Sequence, residues 1–188
     1  GWIAAGPIHV SNGASTGSPG ANFGLFGQLQ AGFRETVYLT AGVRGERNDN
    51  FGDDYGTAVS PRIGLSIVRG VGPVTIKPRV AYGEGIRAPL AVHKYGSKTS
   101  SSERLANPEL GPEQQRGWDA GLELLVGRRA ALGVTRFDQR ALGLIQVVRL
   151  NPGETPTRNQ FQNVGEIRNV GWELEARATF GLIDASAT

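Results

Sequence analysis

The chain has 188 residues, a formal net charge of +3, 28 glycines and 10 prolines, and it lacks both Cys and Met. The missing Cys excludes a disulfide framework, a thiolate metal site and a Cys nucleophile. There is no Gly-X-Y period and no apolar run near the roughly 18 residues of a transmembrane helix, and the evenly spaced apolar residues argue against disorder. Basic residues are scattered rather than massed on a run or a helix, so no nucleic-acid partner is expected even at a sequence pI ≈ 9.6. The chain opens at Gly1 with no basic and apolar leader, which reads as an internal fragment of a longer protein.

The dominant period is two. Phe23, Leu25, Gly27, Leu29, Ala31 and Phe33 form one row, with Gly24, Phe26, Gln28, Gln30 and Gly32 on the other. Val37, Leu39, Ala41 and Val43 follow, then Val59, Pro61, Ile63, Leu65 and Ile67, then Val74, Ile76, Pro78, Val80 and Tyr82. Trp118, Ala120, Leu122, Leu124 and Val126 make the next row, and Val170, Trp172, Leu174, Ala176, Ala178 and Phe180 the last and clearest. Between them, Ala130 to Leu150 alternates less cleanly. Leu132 and Val134 share parity with Arg136, while Phe137 does not, so a bulge near Arg136 is expected to shift the register, with Ala141, Gly143, Ile145 and Val147 continuing the strand. Pro61 and Pro78 cannot donate to a ladder and are expected at bulges or strand ends.

Such alternation gives strands one apolar and one polar face. The stretches run about ten to fifteen residues, longer than the five or six of an average globular strand and long enough to span a bilayer. Charges near mid-strand on the polar face (Lys77, Arg79, Glu173, Glu175) suit a wet lumen. Connections alternate too. Short turns fall at Arg34-Glu35, Arg69 to Pro73, Gly127 to Arg129 and Gly181 to Asp184; long polar ones fall at Ser11 to Ala21, Asn48 to Gly56, Ala88 to Pro112 and Asn151 to Thr157. That is the rhythm of an up-and-down barrel with periplasmic turns and extracellular loops. Phe23, Phe33, Tyr82, Trp118, Trp172 and Phe180 lie near row ends, as interfacial aromatics would. The expected fold is all-β: a transmembrane antiparallel up-and-down β-barrel, present in part.

Several segments then resemble the barrel of TonB-dependent outer-membrane receptors. Asn107-Pro108-Glu109-Leu110-Gly111-Pro112-Glu113 is similar to the family's Asn-Pro-x-Leu-x-Pro-Glu, and Gly121-Leu122-Glu123 to its following Gly-x-Glu. Tyr82 to Pro89, with Arg87 and Pro89, looks like its Tyr-x-x-x-Phe-Arg-x-Pro run, with Ile86 for the usual Phe. Asn163-Val164-Gly165 and Gly171-Trp172-Glu173-Leu174-Glu175 resemble two later elements, and Ala58 to Arg62 a common strand. The resemblance implies outer-membrane localisation, lipid as a neighbour, and uptake of a scarce small-molecule ligand such as a ferric siderophore. It also implies energy from TonB through a plug domain. Family barrels have 22 strands, of which residues 1–188 supply about nine by period and turns. The plug and last strands are expected outside this segment of the C-terminal barrel domain. A passive porin and, less favoured, a soluble β-sandwich binding module are the alternatives.

The sequence carries no catalytic, metal or cofactor signature, and an enzyme is not expected. His9 and His93 lack metal-ligand spacing, and there is no nucleophile elbow or phosphate loop. Asp49, Asp53 and Asp54 have a composition suited to Ca²⁺, but a solvated acidic turn is the ordinary reading. Ligand contacts are expected in the longest connection, from His93, Lys94, Tyr95, Lys98 and Arg104, whose charge suits an anionic ferric chelate. Arg87 and the remaining motif residues are expected to be structural.

Overall fold

A computed structural model of the chain describes residues 2–5, 9–14, 21–52, 55–180 and 183–187. The strands are β1 (Trp2–Ala5), β2 (His9–Ala14), β3 (Ala21–Phe33), β4 (Val37–Asn48), β5 (Ala58–Ile67), β6 (Arg69–Val71), β7 (Val74–Arg87), β8 (Ser97–Lys98), β9 (Ser102–Leu105), β10 (Glu113–Val126), β11 (Ala130–Leu142), β12 (Ile145–Arg149), β13 (Thr157–Asn163), β14 (Glu166–Phe180) and β15 (Ile183–Ala187). One helical turn, α1 (Ala91–Lys94), interrupts them, and a 3-10 turn follows β4 at Asp49–Phe51.

An 11-stranded sheet forms a wall in the order β1-β3-β4-β5-β7-β10-β11-β14-β15, with β2 on β3 and β6 on β7. Its pairings are antiparallel between chain neighbours throughout, the up-and-down pattern. β1 and β2 pair with successive halves of β3, so together they act as one crossing; β5 and β6 do the same on β7. The wall is an open arc.

Tight turns lie at one rim. Arg34 and Glu35 both have left-handed φ (50° and 54°), and Thr36 N donates to Phe33 O at 3.0 Å, so two non-glycine residues make the primed hairpin turn that matches strand twist. Gly72 (φ 60°) and Gly127 (φ 55°) fill the same need at the next two turns. The long connections gather at the opposite, loop rim.

The apolar rows face outward. Phe23, Val43, Ile63, Val80, Leu122, Leu132 and Leu174 are all exposed, and Leu174 is 66% so. Large apolar groups exposed in register on every strand form a surface that a water-soluble domain does not keep. From Val74 to Tyr82 the apolar row of β7 runs about 26 Å along the strand, which matches a tilted strand crossing the hydrocarbon band. On the other face Lys77 pairs with Glu123 at 3.2 Å and Arg79 with Asp119 at 3.0 Å, and Arg79 also donates to Thr135 at 3.2 Å.

Three local expectations fail. The ladders of β11 with β10 and β14 hold one register across Arg136, so there is no bulge. Phe137 instead packs its ring over Gly171, where a Cβ would sit 2.7 Å from the ring; the lumenal row simply contains an aromatic. Arg136 stays on the outward face, donates to Gly171 O at 2.9 Å and stacks 5.5 Å from the Trp172 ring. Pro61 and Pro78 mark neither bulges nor strand ends. They lie within β5 and β7 and keep register with β4 and β10. Their effect falls on the β5–β7 seam, where pairing begins after Pro61 and lapses opposite Pro78 before resuming unshifted in β6. Each ring removes a donor on one side of its strand only.

Finally, Ile145 and Val147 do not extend β11. Gly143 turns the chain with φ 63°, and β12 joins a second, 4-stranded sheet ordered β12-β13-β9-β8. The connection expected at Asn151 to Thr157 is therefore the tip of a hairpin inside one longer excursion, residues 143–165.

Candidate ligand-binding site at the loop rim

The second sheet joins two separate connections. β8 and β9 belong to the excursion between β7 and β10, and β12 and β13 to the one between β11 and β14. They meet where β9 runs parallel to β13, Ser102 to Leu105 against Thr157 to Gln160. Parallel pairing cannot come from a hairpin, so this contact is a tertiary event.

The Asn-Pro-Glu-Leu-Gly-Pro-Glu stretch lies under this sheet. Leu110 is 0% exposed and Phe51, from the turn after β4, 1%; Pro89, Ala91, Pro112 and Glu113 are buried as well. Asn107 donates to Phe161 O at 2.7 Å. Asn163 accepts from Gly111 N at 2.8 Å and donates to Gly111 O and Gly143 O at 2.9 and 2.7 Å, so its amide fills the place of a missing strand pair. Glu113 accepts from Ile145 N at 2.9 Å and pairs with Arg87. One carboxylate thus ties the end of β7 to the start of β12. Pro108 sits exposed in the turn of this stretch, and Gly165 (φ 75°) redirects the chain into β14.

Gly121, Glu123, Gly171, Glu173 and Glu175 lie elsewhere, on the lumenal face of β10 and β14, with Glu175 paired to Arg177 at 3.2 Å. A Cβ on Gly121 would stand 3.0 Å from both Arg79 and Thr135 side chains, so glycine there leaves room for their hydrogen bond.

Of the expected ligand contacts, the fold brings two together. His93, from α1, stacks on Phe161 of β13 with ring centroids 4.3 Å apart, and the Arg104 guanidinium lies 5.5 Å from the same ring. His93 Nδ1 and Arg104 Nε are buried and have no hydrogen-bond partner among the described residues. The His93 pKa is lowered, first by burial and then by the positive charges of Arg104 and Arg87, with Glu113 opposing. The imidazole is therefore neutral near pH 7, able to accept at one nitrogen and donate at the other.

The other three stand apart. Lys98 reaches Glu103 at 3.5 Å, a carboxylate that Arg158 also holds at 3.0 Å. Tyr95 is exposed, and Lys94 serves through its carbonyl, which accepts from Asn107 N at 3.1 Å. Phe161, the centre of the cluster, gave no sign in the sequence: it lies more than fifty residues from its partners, and only the parallel β9–β13 contact delivers it. Asp49 accepts from Ala21 N at 2.8 Å, while Asp53 and Asp54 lie outside the described residues. Of His9 only the backbone, in β2, is described. Among the described residues no group of three or more His, Asp or Glu could hold a metal ion, and no helix is long and apolar enough to cross a membrane.

The family model "TonB dependent receptor-like, beta-barrel" matches residues 3–188. A search of curated proteins finds no match. Among solved structures, the siderophore receptor PirA from Pseudomonas aeruginosa aligns with TM-score 0.72 at 18% identity, covering 87% of this chain and 32% of that one. The Serratia marcescens hemophore receptor HasR, solved as a double mutant with its hemophore HasA and heme, gives 0.69 at 19%, with 89% and 33% covered. The RagAB peptide transporter gives 0.70 at 19%, with 86% and 20% covered. The chain thus spans a third or less of each of these structures.

Proposed function

Because the chain belongs to the TonB-dependent receptor β-barrel family, we propose that it is the outer-loop-bearing arc of a receptor for TonB-energised uptake, with an anionic ferric chelate as ligand. Transport rather than catalysis is its role. The loop rim then faces the cell exterior, the turn rim the periplasm, and the apolar rows outer-membrane lipid. TonB acts through a plug carried by the parent protein.

The observation that carries the ligand class is the His93–Phe161–Arg104 cluster. It gathers a cation and a neutral imidazole around one aromatic ring, and both polar groups have a buried nitrogen with no partner among the described residues. A carboxylate-rich or otherwise anionic chelate complements the positive charge of Arg104 and the hydrogen-bonding capacity of His93. Structural relatives include a siderophore receptor and a receptor solved with heme, in keeping with this class, and also a peptide transporter.

The test is binding by the full-length parent receptor to ferric catecholate, ferric hydroxamate, ferric citrate, heme and short peptides. One ferric chelate is expected to bind, with Arg104→Gln weakening it about tenfold or more. Preference for peptides, or binding indifferent to Arg104, would overturn the ligand class. Uptake that persists without TonB would overturn the energised mechanism and favour a passive pore.

A further inference from the structure

The outward face changes character abruptly toward the loop rim. Tyr82 and Trp118 stand side by side in the register of β7 and β10 and close the apolar rows. One pair higher, the register places Glu84, Arg116, Arg140 and Arg168 in a single row across β7, β10, β11 and β14. Arg136 lies one pair below the aromatic pair, stacked on Trp172. These side chains share the face of the apolar rows, not that of the lumen.

We propose that this row is a docking surface for the phosphate groups of the outer-leaflet glycolipid. It rests on the orientation given above. Four arginines stand here with three carboxylates, Glu84, Asp138 and Glu166. Each carboxylate is already engaged. The Tyr82 hydroxyl donates to Glu84 at 2.5 Å, Asp138 is gripped by both Nε and Nη2 of Arg168, and Glu166 lies 3.6 Å from Arg140. The Asp138 contact fixes the Arg168 fork in place, and Arg168 and Arg140 still have donors to spare, since a guanidinium carries five N–H groups. The exposed side chain of Arg116 makes no hydrogen bond or ion pair among the described residues. A row of guanidiniums directly above an aromatic pair and an apolar wall is complementary to a molecule with acyl chains below and phosphates above. Water alone would demand neither the row nor its position.

The test uses full-length receptor in neutral detergent, titrated with diphosphorylated lipid A, with lipid A stripped of phosphate, and with inorganic phosphate, read by native mass spectrometry and thermal shift. Diphosphorylated lipid A is expected to bind and to raise Tm. Arg116→Gln, which breaks no internal contact, should weaken that binding severalfold, and Arg116→Gln with Arg140→Gln by tenfold or more. Arg128→Gln with Arg129→Gln, at the opposite rim, should leave it unchanged. Equal binding of the dephosphorylated lipid, equal binding by the double variant, or equally tight binding of inorganic phosphate would each overturn the proposal. Ferric-chelate binding reads the loop cluster separately, so the two readings can fail independently.

Discussion

The wall and the sheet above it are both β-structure, yet they are held together in opposite ways. The wall is built from hairpins between chain neighbours, and its large apolar side chains point outward. The loop-rim sheet joins chain segments some fifty residues apart. At the same rim, Phe51 and Leu110 are the fully buried large side chains among the described residues. The wall is therefore held by ladder hydrogen bonds and, in the proposed membrane setting, by the lipid its apolar rows meet, whereas the rim layer has its own core and its own polar links. A receptor needs both: a wall indifferent to ligand, and a layer whose parts can respond to one.

This contrast can be broken from either side, and all the following variants belong in the full-length receptor. Leu174→Arg puts a charge on the outward row of β14 and should cost about 2–4 kcal/mol at mid-bilayer depth. Folding yield and unfolding midpoint in lipid vesicles should fall, while ligand affinity of the folded fraction stays unchanged. An unaltered midpoint would mean that this face does not meet lipid. Glu113→Ala removes the acceptor of Ile145 N and the partner of Arg87, a loss of about 2–3 kcal/mol confined to the rim layer. Amide exchange should accelerate across β12 and β13 but not across β10 and β11 of the wall below Gly117. Uniform acceleration would show that the two regions unfold as one.

Smaller effects sharpen the boundary. Lys77→Gln breaks an ion pair whose members are both about 40% exposed, so the change should stay under about 1 kcal/mol and shrink further in salt. A larger penalty would reveal a drier lumen. The smallest effect is a pH response. The folded pKa of His93 lies below its unfolded value, so the neutral form favours folding. That contribution is complete above about pH 6.5 and is lost as pH falls through the depressed folded value, because the unfolded state takes up the proton first. Exchange in α1 and β13 should therefore quicken on mild acidification. His93→Gln should abolish this dependence, and a variant that still responds would place the titration elsewhere.

The sequence by itself determined the wall. Period two fixes which side chains share a face, and turn length fixes which strands are neighbours; both are local properties, so Val170 to Ala178 of β14 could be read without any other part of the chain. It also pointed to Asn107 to Glu113 and Asn163 as a structural motif by their recognisable order, but Phe51, which is buried with Leu110, carried no such mark. Only the tertiary structure decided the rest. Whether Phe137 needs a bulge depends on the glycine across the ladder, Gly171, which parity counting on one strand cannot see. Pro78 is harmless to β10 and costly to β5 because a strand has two sides. Phe161 meets His93 and Arg104 through a parallel contact between distant segments, and pairing of that kind leaves no periodic trace in either one.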